Sequence, residues 1–173
     1  MYANPDEPNK RRRVVLREEL SLVEAEALPS TTGAQVEERL AARLARQAAL
    51  ERESPPLVWV LLDENVLHRE VGGAKIMRDQ LCRLADMGRR PNVTVQVISR
   101  AGAHPGLSGA FGIAELSDRH TVAYLETAAD GQTVEDPATV ADVELRFDAL
   151  RTEAFRGTES LVLIENEADR WNP

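Results

Sequence analysis

The feature that most constrains the fold is a block of short apolar segments between Pro55 and Glu126. Leu57 to Leu62 is an almost unbroken apolar run of strand length, which is typical of an interior strand covered on both faces. Val93 to Ile98 alternates valine with other residues and predicts a second strand. Because Ala74 to Met87 carries apolar residues at helical spacing, the block predicts a strand, helix and strand crossover with parallel strands.

The flanking segments complete an α+β pattern. Phe111 to Leu116 and Thr121 to Glu126 enclose a short polar loop and predict an antiparallel hairpin. Val14 to Ala27 fits either a short strand or a helix, and Val134 to Pro137 fits a short edge strand. We therefore predict a mixed sheet of roughly four to five strands packed against about four helices. The predicted helices span Ala34 to Glu53, Ala74 to Met87, Ala138 to Arg156 and Thr158 to Arg170.

Length and charge limit the class of protein. A chain of 173 residues fits one domain, which we place at residues 14–173 after a flexible tail of residues 1–13. The formal net charge of −8 disfavours contact with phosphate backbones, so no direct nucleic-acid partner is expected. The basic run from Lys10 to Arg13 is too short to form a nucleic-acid-binding surface alone.

The cysteine content, the hydropathy and the N-terminus predict the cellular compartment. Cys82 is the single cysteine, so no intramolecular disulfide can form, and a reducing compartment is the simplest setting. No segment approaches the roughly 18 consecutive apolar residues that a membrane span requires. The N-terminus is polar and charged, unlike a signal peptide. We therefore expect a cytoplasmic protein without a membrane partner.

Several linked segments carry a family resemblance that covers roughly Ala34 to Ser160. Together they resemble, in order and spacing, an uncharacterised domain at the C-terminus of lambda-repressor-like (Xre-type) helix-turn-helix regulators of filamentous bacteria. A set of linked segments is more specific than any single short motif. The matching segments are Val36 to Leu40, Arg43 to Gln47, Leu62 to Arg69, Val71 to Gly73, Met77 to Leu81, Pro91 to Ile98, Gly102 to His104, Gly109 to Phe111 and Val122 to Glu126.

The resemblance implies an antitoxin-like transcriptional regulator whose C-terminal domain senses a signal or binds a small partner protein encoded alongside it. Members of that family carry an N-terminal helix-turn-helix, and no segment here has two helices around a tight turn with a basic recognition face. The proline-glycine-leucine-leucine-glutamine segment that usually precedes the first domain helix is replaced by Arg13 to Gln35. The expectation is a stand-alone copy without its own DNA-binding module.

The candidate ligand site lies at strand ends. Asp63 and Glu64 follow the most apolar strand, where sheets with crossover connections often form ligand crevices. His104 lies in the glycine-rich loop Ser99 to Gly109, which is long enough to cover a ligand. Arg69, shortly after Glu64 in the chain, is a further candidate ligand-binding residue. The alternative is structural: Asp63 or Glu64 caps a turn or pairs with Arg69, and His104 is a surface or hydrogen-bonding residue.

Glu126 and Phe111 extend this candidate site on the hairpin. If the strand that ends at Glu126 neighbours the first apolar strand, its carboxylate approaches Glu64, and two carboxylates in one pocket form an acid-base pair. Phe111 is a candidate ligand contact with a core position as its alternative. His68 and His120 lack further histidines or cysteines at ligand spacing, so no metal site and no cofactor are predicted.

Two functions from different classes fit these residues. The first is a regulatory or interaction domain that binds a small partner protein or a small-molecule ligand beneath the loop Ser99 to Gly109, with a homodimer left open. The rival is a small cofactor-independent enzyme of secondary metabolism evolved from this domain. It would use His104 with Glu64 or Glu126 as acid-base groups for proton transfer, cyclisation or elimination.

Overall fold

The computed structural model describes residues 11–16, 48–116, 120–127 and 131–172, together with positions 34, 37, 38, 41 and 45. The last five positions are helical and exposed, in agreement with the predicted helix from Ala34 to Glu53. Its apolar positions Val36, Leu40 and Leu44 lie outside the described residues. The last part of the prediction differs, since Ala48–Glu51 forms a 3-10 turn.

The described strands form one mixed sheet with the order β3-β2-β1-β4-β5-β6. β1, β2 and β3 are parallel, whereas β4, β5 and β6 continue the sheet in antiparallel pairs. The predicted parallel crossover and hairpin are confirmed, and with them the α+β class. The strands are β1 Arg11–Leu16, β2 Leu57–Asp63, β3 Val93–Ile98, β4 Phe111–Glu115, β5 Thr121–Leu125 and β6 Gln132–Val134.

The described part of the sheet has six strands rather than the four to five expected, because β1 lies at its centre. Its backbone pairs with two neighbours, Arg11 with Leu57 of β2 and with Glu115 of β4. Residues 11–13, which we assigned to the N-terminal tail, therefore belong to the sheet. Backbone pairing on both edges satisfies the strand's amide and carbonyl groups whatever its side chains are, so a run of arginines does not exclude a central position.

Four described helices cover the sheet: α1 Asn65–His68, α2 Ala74–Gly88, α3 Pro137–Glu153 and α4 Gly157–Arg170. α3 ends three residues before the predicted Arg156, because the connection to α4 is extended. In that connection the Phe155 amide donates to the Val97 carbonyl over 2.9 Å, which partly covers the outer edge of β3. Within the described residues, no helix combines the length and the apolar character that crossing a membrane requires.

Two apolar cores lie on opposite faces of the sheet. Trp59 and Leu61 of β2 pack with Phe147 and Leu150 of α3 on the first face. The intervening residues of β2, including Leu62, pack with α2 and α4 on the second face. Because side chains alternate along a strand, this register points Asp63 towards α3. Glu64 follows the strand, at the start of α1.

Candidate functional site

The carboxyl ends of β2, β3 and β5 lie on one edge of the sheet. β5 is antiparallel to β4, which is antiparallel to β1, so β5 runs in the same direction as β2. Asp63, Glu64, the loop 99–109 and Glu126 therefore share this edge. It is the edge at which sheets with crossover connections usually bind ligands.

Asp63 and His104 form a buried pair at the end of β2. Oδ1 of Asp63 accepts a hydrogen bond from the Asn65 amide over 2.8 Å. Oδ2 lies 3.5 Å from Nε2 of His104, and each side chain is only 8% exposed. His104 is thus placed against Asp63 rather than against Glu64 or Glu126, the partners that the enzyme hypothesis assigned to it.

Glycine conformations shape the loop that carries His104. Gly102 and Gly109 have φ values of +93° and +149°, which residues with a Cβ rarely adopt. Pro105–Ser108 forms a 3-10 turn in which the Leu107 amide donates to the His104 carbonyl over 3.1 Å. Gly106, at the centre of this turn, is buried against the imidazole. The loop therefore fixes His104 by its backbone, with the ring held between Asp63 and Gly106.

The second ring nitrogen of His104 is not used by the described residues. Nδ1 is buried and has no hydrogen-bond partner among them. A Cβ on Gly106 would lie only 3.1 Å from Nδ1 and 3.2 Å from Cε1, so it is the absence of a side chain that lets the turn pack directly against the ring. Leu150 of α3 packs here from the core, with Cδ2 lying 3.4 Å from that Cβ position.

Glu64 makes a separate group on the other face of the sheet. Oε2 accepts a hydrogen bond from the Arg100 amide over 3.0 Å, which ties the start of the 99–109 loop to the end of β2. Oε1 lies 3.5 Å from Nε2 of His68, one helical turn later, which is an ion-pair contact rather than a hydrogen bond. The Arg100 guanidinium lies 3.8 Å from the same oxygen. Glu64 is thus held by a backbone amide and two basic side chains.

Glu167 of α4 completes this second group, and the sequence analysis missed it. Its side chain is 8% exposed, its Oε2 lies 3.0 Å from Nδ1 of His68, and its other oxygen accepts from Arg170. The buried positions Ser160, Ile164 and Glu167 recur at intervals of four and three residues, which is the spacing of a helix face. The sequence could have indicated Glu167 if polar residues, and not apolar residues alone, had been included when the buried face of the helix was assigned.

Glu126 and Phe111 are not brought to either group. Glu126 is exposed, and β1 and β4 separate its strand from β2, which corresponds to about 14 Å between strand axes. Among the described residues it forms no ion pair or hydrogen bond with Glu64 or His104. Phe111 is buried in the core that faces α3, so the structure supports its core alternative. Arg69 is exposed directly after α1.

The two groups have different chemical capacities. The Asp63 and His104 pair offers a carboxylate that orients an imidazole, an arrangement able to bind a polar group or to transfer a proton. His68 lies between the carboxylates of Glu64 and Glu167, which are also paired with Arg100 and Arg170. Within the described ranges, no group of three or more histidine, cysteine, aspartate or glutamate side chains has a geometry that would hold a metal ion.

A match to a known protein family includes the Asp63 and His104 pair and most of the Glu64 group. One family model, described as "Domain of unknown function (DUF5753)", matches residues 20–166. The matched range includes Asp63, Glu64, His68 and His104 and extends almost to Glu167. No curated protein and no solved structure matched the chain. Since the matched range covers most of the 173 residues, the chain belongs to the DUF5753 family.

Proposed function

We propose that this chain is a regulatory domain of antitoxin-like type that binds a small-molecule ligand beneath the 99–109 loop. The relation to the C-terminal domain of Xre-type regulators is part of the proposal. It is supported by the linked segments that resemble that domain, including Leu62 to Arg69 and Pro91 to Ile98, and by the family match over residues 20–166. Regulation in such a protein requires an input, which we assign to the carboxyl edge of the sheet.

The observation that carries the proposal is the buried pair of Asp63 and His104. Burying a carboxylate and an imidazole costs free energy unless their hydrogen bonds are completed, and the described partners complete only part of them. A buried polar group without a complete set of partners beneath a loop is a candidate for a functional role. A binding site explains why the chain retains them.

We favour a small molecule over a small protein as the ligand that binds this site. Among the described residues, the large apolar side chains that are exposed lie on different elements, for example Ile76 on α2, Leu145 on α3 and Val162 on α4. Protein-binding surfaces usually need a contiguous apolar patch. In this proposal, ligand binding controls whether the chain binds a partner protein or a second copy of itself.

The test is ligand selection followed by a matched pair of variants. Wild-type protein is incubated with fractionated small-molecule extract of the source organism, and retained compounds are identified by mass spectrometry. His104→Gln should lose the retained compounds, whereas His120→Gln should keep them, because His120 is exposed and lies near Glu135 instead. Equal retention by wild type and His104→Gln would contradict the proposal.

A second candidate function is an acid-base enzyme, and one observation favours it. A carboxylate beside a buried imidazole is a common arrangement for proton transfer, with the histidine as the acid-base group. In that case Asp63, rather than Glu64 or Glu126, is the partner of His104. Incubating each retained compound with protein and following its mass separates the functions: conversion that His104→Gln abolishes favours the enzyme, and recovery of unchanged compound favours the binding domain.

A further inference from the structure

The inference concerns the class of ligand, and it rests on the proposed function. His104 presents its two ring nitrogens to different surroundings. Nε2 faces Oδ2 of Asp63 at 3.5 Å, while Nδ1 is buried without a hydrogen-bond partner among the described residues. A ligand that binds beneath the loop can supply the hydrogen bond that Nδ1 lacks.

The neighbouring carboxylate determines what Nδ1 can offer. In a neutral imidazole one nitrogen carries the proton and the other accepts, and the surroundings of the two nitrogens select the tautomer. At 3.5 Å the Asp63 carboxylate is in ion-pair contact with Nε2 without a hydrogen bond, and its negative charge favours the tautomer with the proton on Nε2, which leaves the lone pair of Nδ1 as an acceptor. An acceptor is completed by a hydrogen-bond donor and not by a carboxylate or a phosphate.

The negative charge at this edge of the sheet also favours a cationic ligand over an anionic one. Glu64 and Glu126 lie on the same edge as Asp63, and the chain carries a formal net charge of −8. A negative field attracts cations and repels anions. Arg100 lies nearby but is paired with Glu64, which reduces its attraction for an anionic ligand.

Access to Nδ1 depends on the turn that carries Gly106. A Cβ at this position would lie 3.1 Å from Nδ1, so the turn packs closely on the ring and leaves no room for a ligand atom while it stays in place. Because Nδ1 is buried, that atom reaches it only if the turn Pro105–Ser108 shifts outward. Pro105, Leu107 and Ser108 are exposed, so such a shift uncovers the ring without unpacking a core element.

From these observations we infer that Nδ1 of His104, above Gly106, recognises the hydrogen-bond donor of a small neutral or cationic ligand, an ammonium or a hydroxyl group. Asp63 orients the imidazole as its positioning residue. Gly106 affects access, because a side chain there would lie against the ring, with its Cβ 3.1 Å from Nδ1.

Nuclear magnetic resonance of protein labelled with ¹⁵N-histidine tests this inference directly. The chain has three histidines, so the ring signals can be assigned by single substitutions. Ethanolamine is the donor probe, and sodium acetate and inorganic phosphate are the anionic probes, all at matched ionic strength. We expect His104 to show the tautomer protonated on Nε2, and its Nδ1 signal to shift saturably with ethanolamine but not with acetate or phosphate.

Two glycine variants separate recognition from folding. Gly106→Ala places a methyl group beside Nδ1 and should abolish the ethanolamine shift. Gly157→Ala is the matched control, because a Cβ there makes only an ordinary contact of 3.8 Å with the Val95 carbonyl, and it should respond like wild type. If Gly106→Ala fails to fold, His104→Gln replaces it, and its ¹⁵N-amide spectrum should show no saturable ethanolamine shift in the 99–109 loop.

Each contrary result has a definite meaning. Saturable shifts of His104 with acetate or phosphate but not with ethanolamine would overturn the inference and leave the proposed function intact, since the site would still bind a ligand. Absence of any saturable shift, or an unchanged response in the Gly106→Ala variant, would also overturn the inference. The proposed function fails separately, in the extract selection, when retained compounds do not depend on His104.

Discussion

Asp63 and Glu64 are neighbours in the chain, yet their side chains serve opposite faces of the sheet. Asp63 meets His104 on the side of α3, and Glu64 meets His68, which in turn meets Glu167 on the side of α4. Both groups thus combine acidic side chains with one histidine, at the same end of the same strand. They differ in how completely each histidine is surrounded.

His68 has a carboxylate at each ring nitrogen, Glu167 at 3.0 Å and Glu64 at 3.5 Å. His104 has a carboxylate at one nitrogen only, and the other faces the α-carbon of Gly106. The first arrangement holds α4 against the end of β2, although Nε2 of His68, like Nδ1 of His104, is buried without a hydrogen bond among the described residues. In the second arrangement Nδ1 also has no carboxylate beside it in the described structure, and such a buried site is expected to cost stability in exchange for function. Composition alone does not distinguish them, whereas the partners of each ring nitrogen do.

The largest effect is expected for Glu167→Ala. The variant leaves His68 and Arg170 without their shared buried carboxylate, so the free energy of unfolding should fall by about 2–3 kcal/mol, less than for a fully buried pair because Arg170 is mostly exposed. Urea denaturation followed by circular dichroism measures the change. Glu165→Ala is the matched control on the same helix, since its pair with Arg89 is solvent-exposed and should contribute less than about 1 kcal/mol. Equal effects of the two variants would contradict a structural role for Glu167.

Two double variants compare the groups directly. Glu64→Gln with His68→Leu should lower the free energy of unfolding by about 1–2 kcal/mol, because it leaves Glu167 without its histidine partner. Asp63→Asn with His104→Leu should stay within about 1 kcal/mol of wild type, because the new side chains leave no charge unpaired and remove the unsatisfied Nδ1. The asparagine introduced at position 63 can still accept from the Asn65 amide. The same urea experiment measures both, and the reverse order of stability would refute the assignment of roles.

The smallest effect concerns a carboxylate outside both groups, at the start of the helix behind His104. Hydrogen bonds from the Thr139 amide and hydroxyl lower the pKa of Asp136 from its ordinary value of 3.8. A lowered folded-state pKa gives stability that is present above the unfolded pKa and is lost as the pH falls through the folded pKa. Asp136→Asn keeps an N-cap acceptor but does not titrate, so its melting temperature should depend less on pH below about 4. Identical pH profiles for the variant and wild type would contradict this account.

Much of the fold was predictable because its strands and helices have clear periodicity. The apolar run Leu57 to Leu62 and the alternation in Val93 to Ile98 correspond to β2 and β3. β1 was not predictable in the same way, because three of its residues are arginines and charge runs usually lie at the surface. Its central position depends on pairing with strands distant in sequence, and local patterns do not report such pairing.

The candidate site was predictable as a location but not as a set of contacts. The ends of strands pointed to Asp63, Glu64 and His104, and these residues do lie at one edge of the sheet. Which carboxylate meets His104 depends on strand register, since a shift by one residue exchanges the faces. The distance of Glu126 depends on the order of strands across the sheet, which β1 and β4 change by separating β5 from β2.

The central claim is that the His104 group binds a ligand while the His68 group is structural. Its most direct test is the dissociation constant of a compound selected by the wild-type protein, measured by isothermal titration calorimetry for wild type, His104→Gln and His68→Gln. The account predicts at least about tenfold weaker binding for His104→Gln, the loss of roughly one hydrogen bond, and unchanged affinity for folded His68→Gln. Equal weakening in both variants, or weakening in His68→Gln alone, would contradict it.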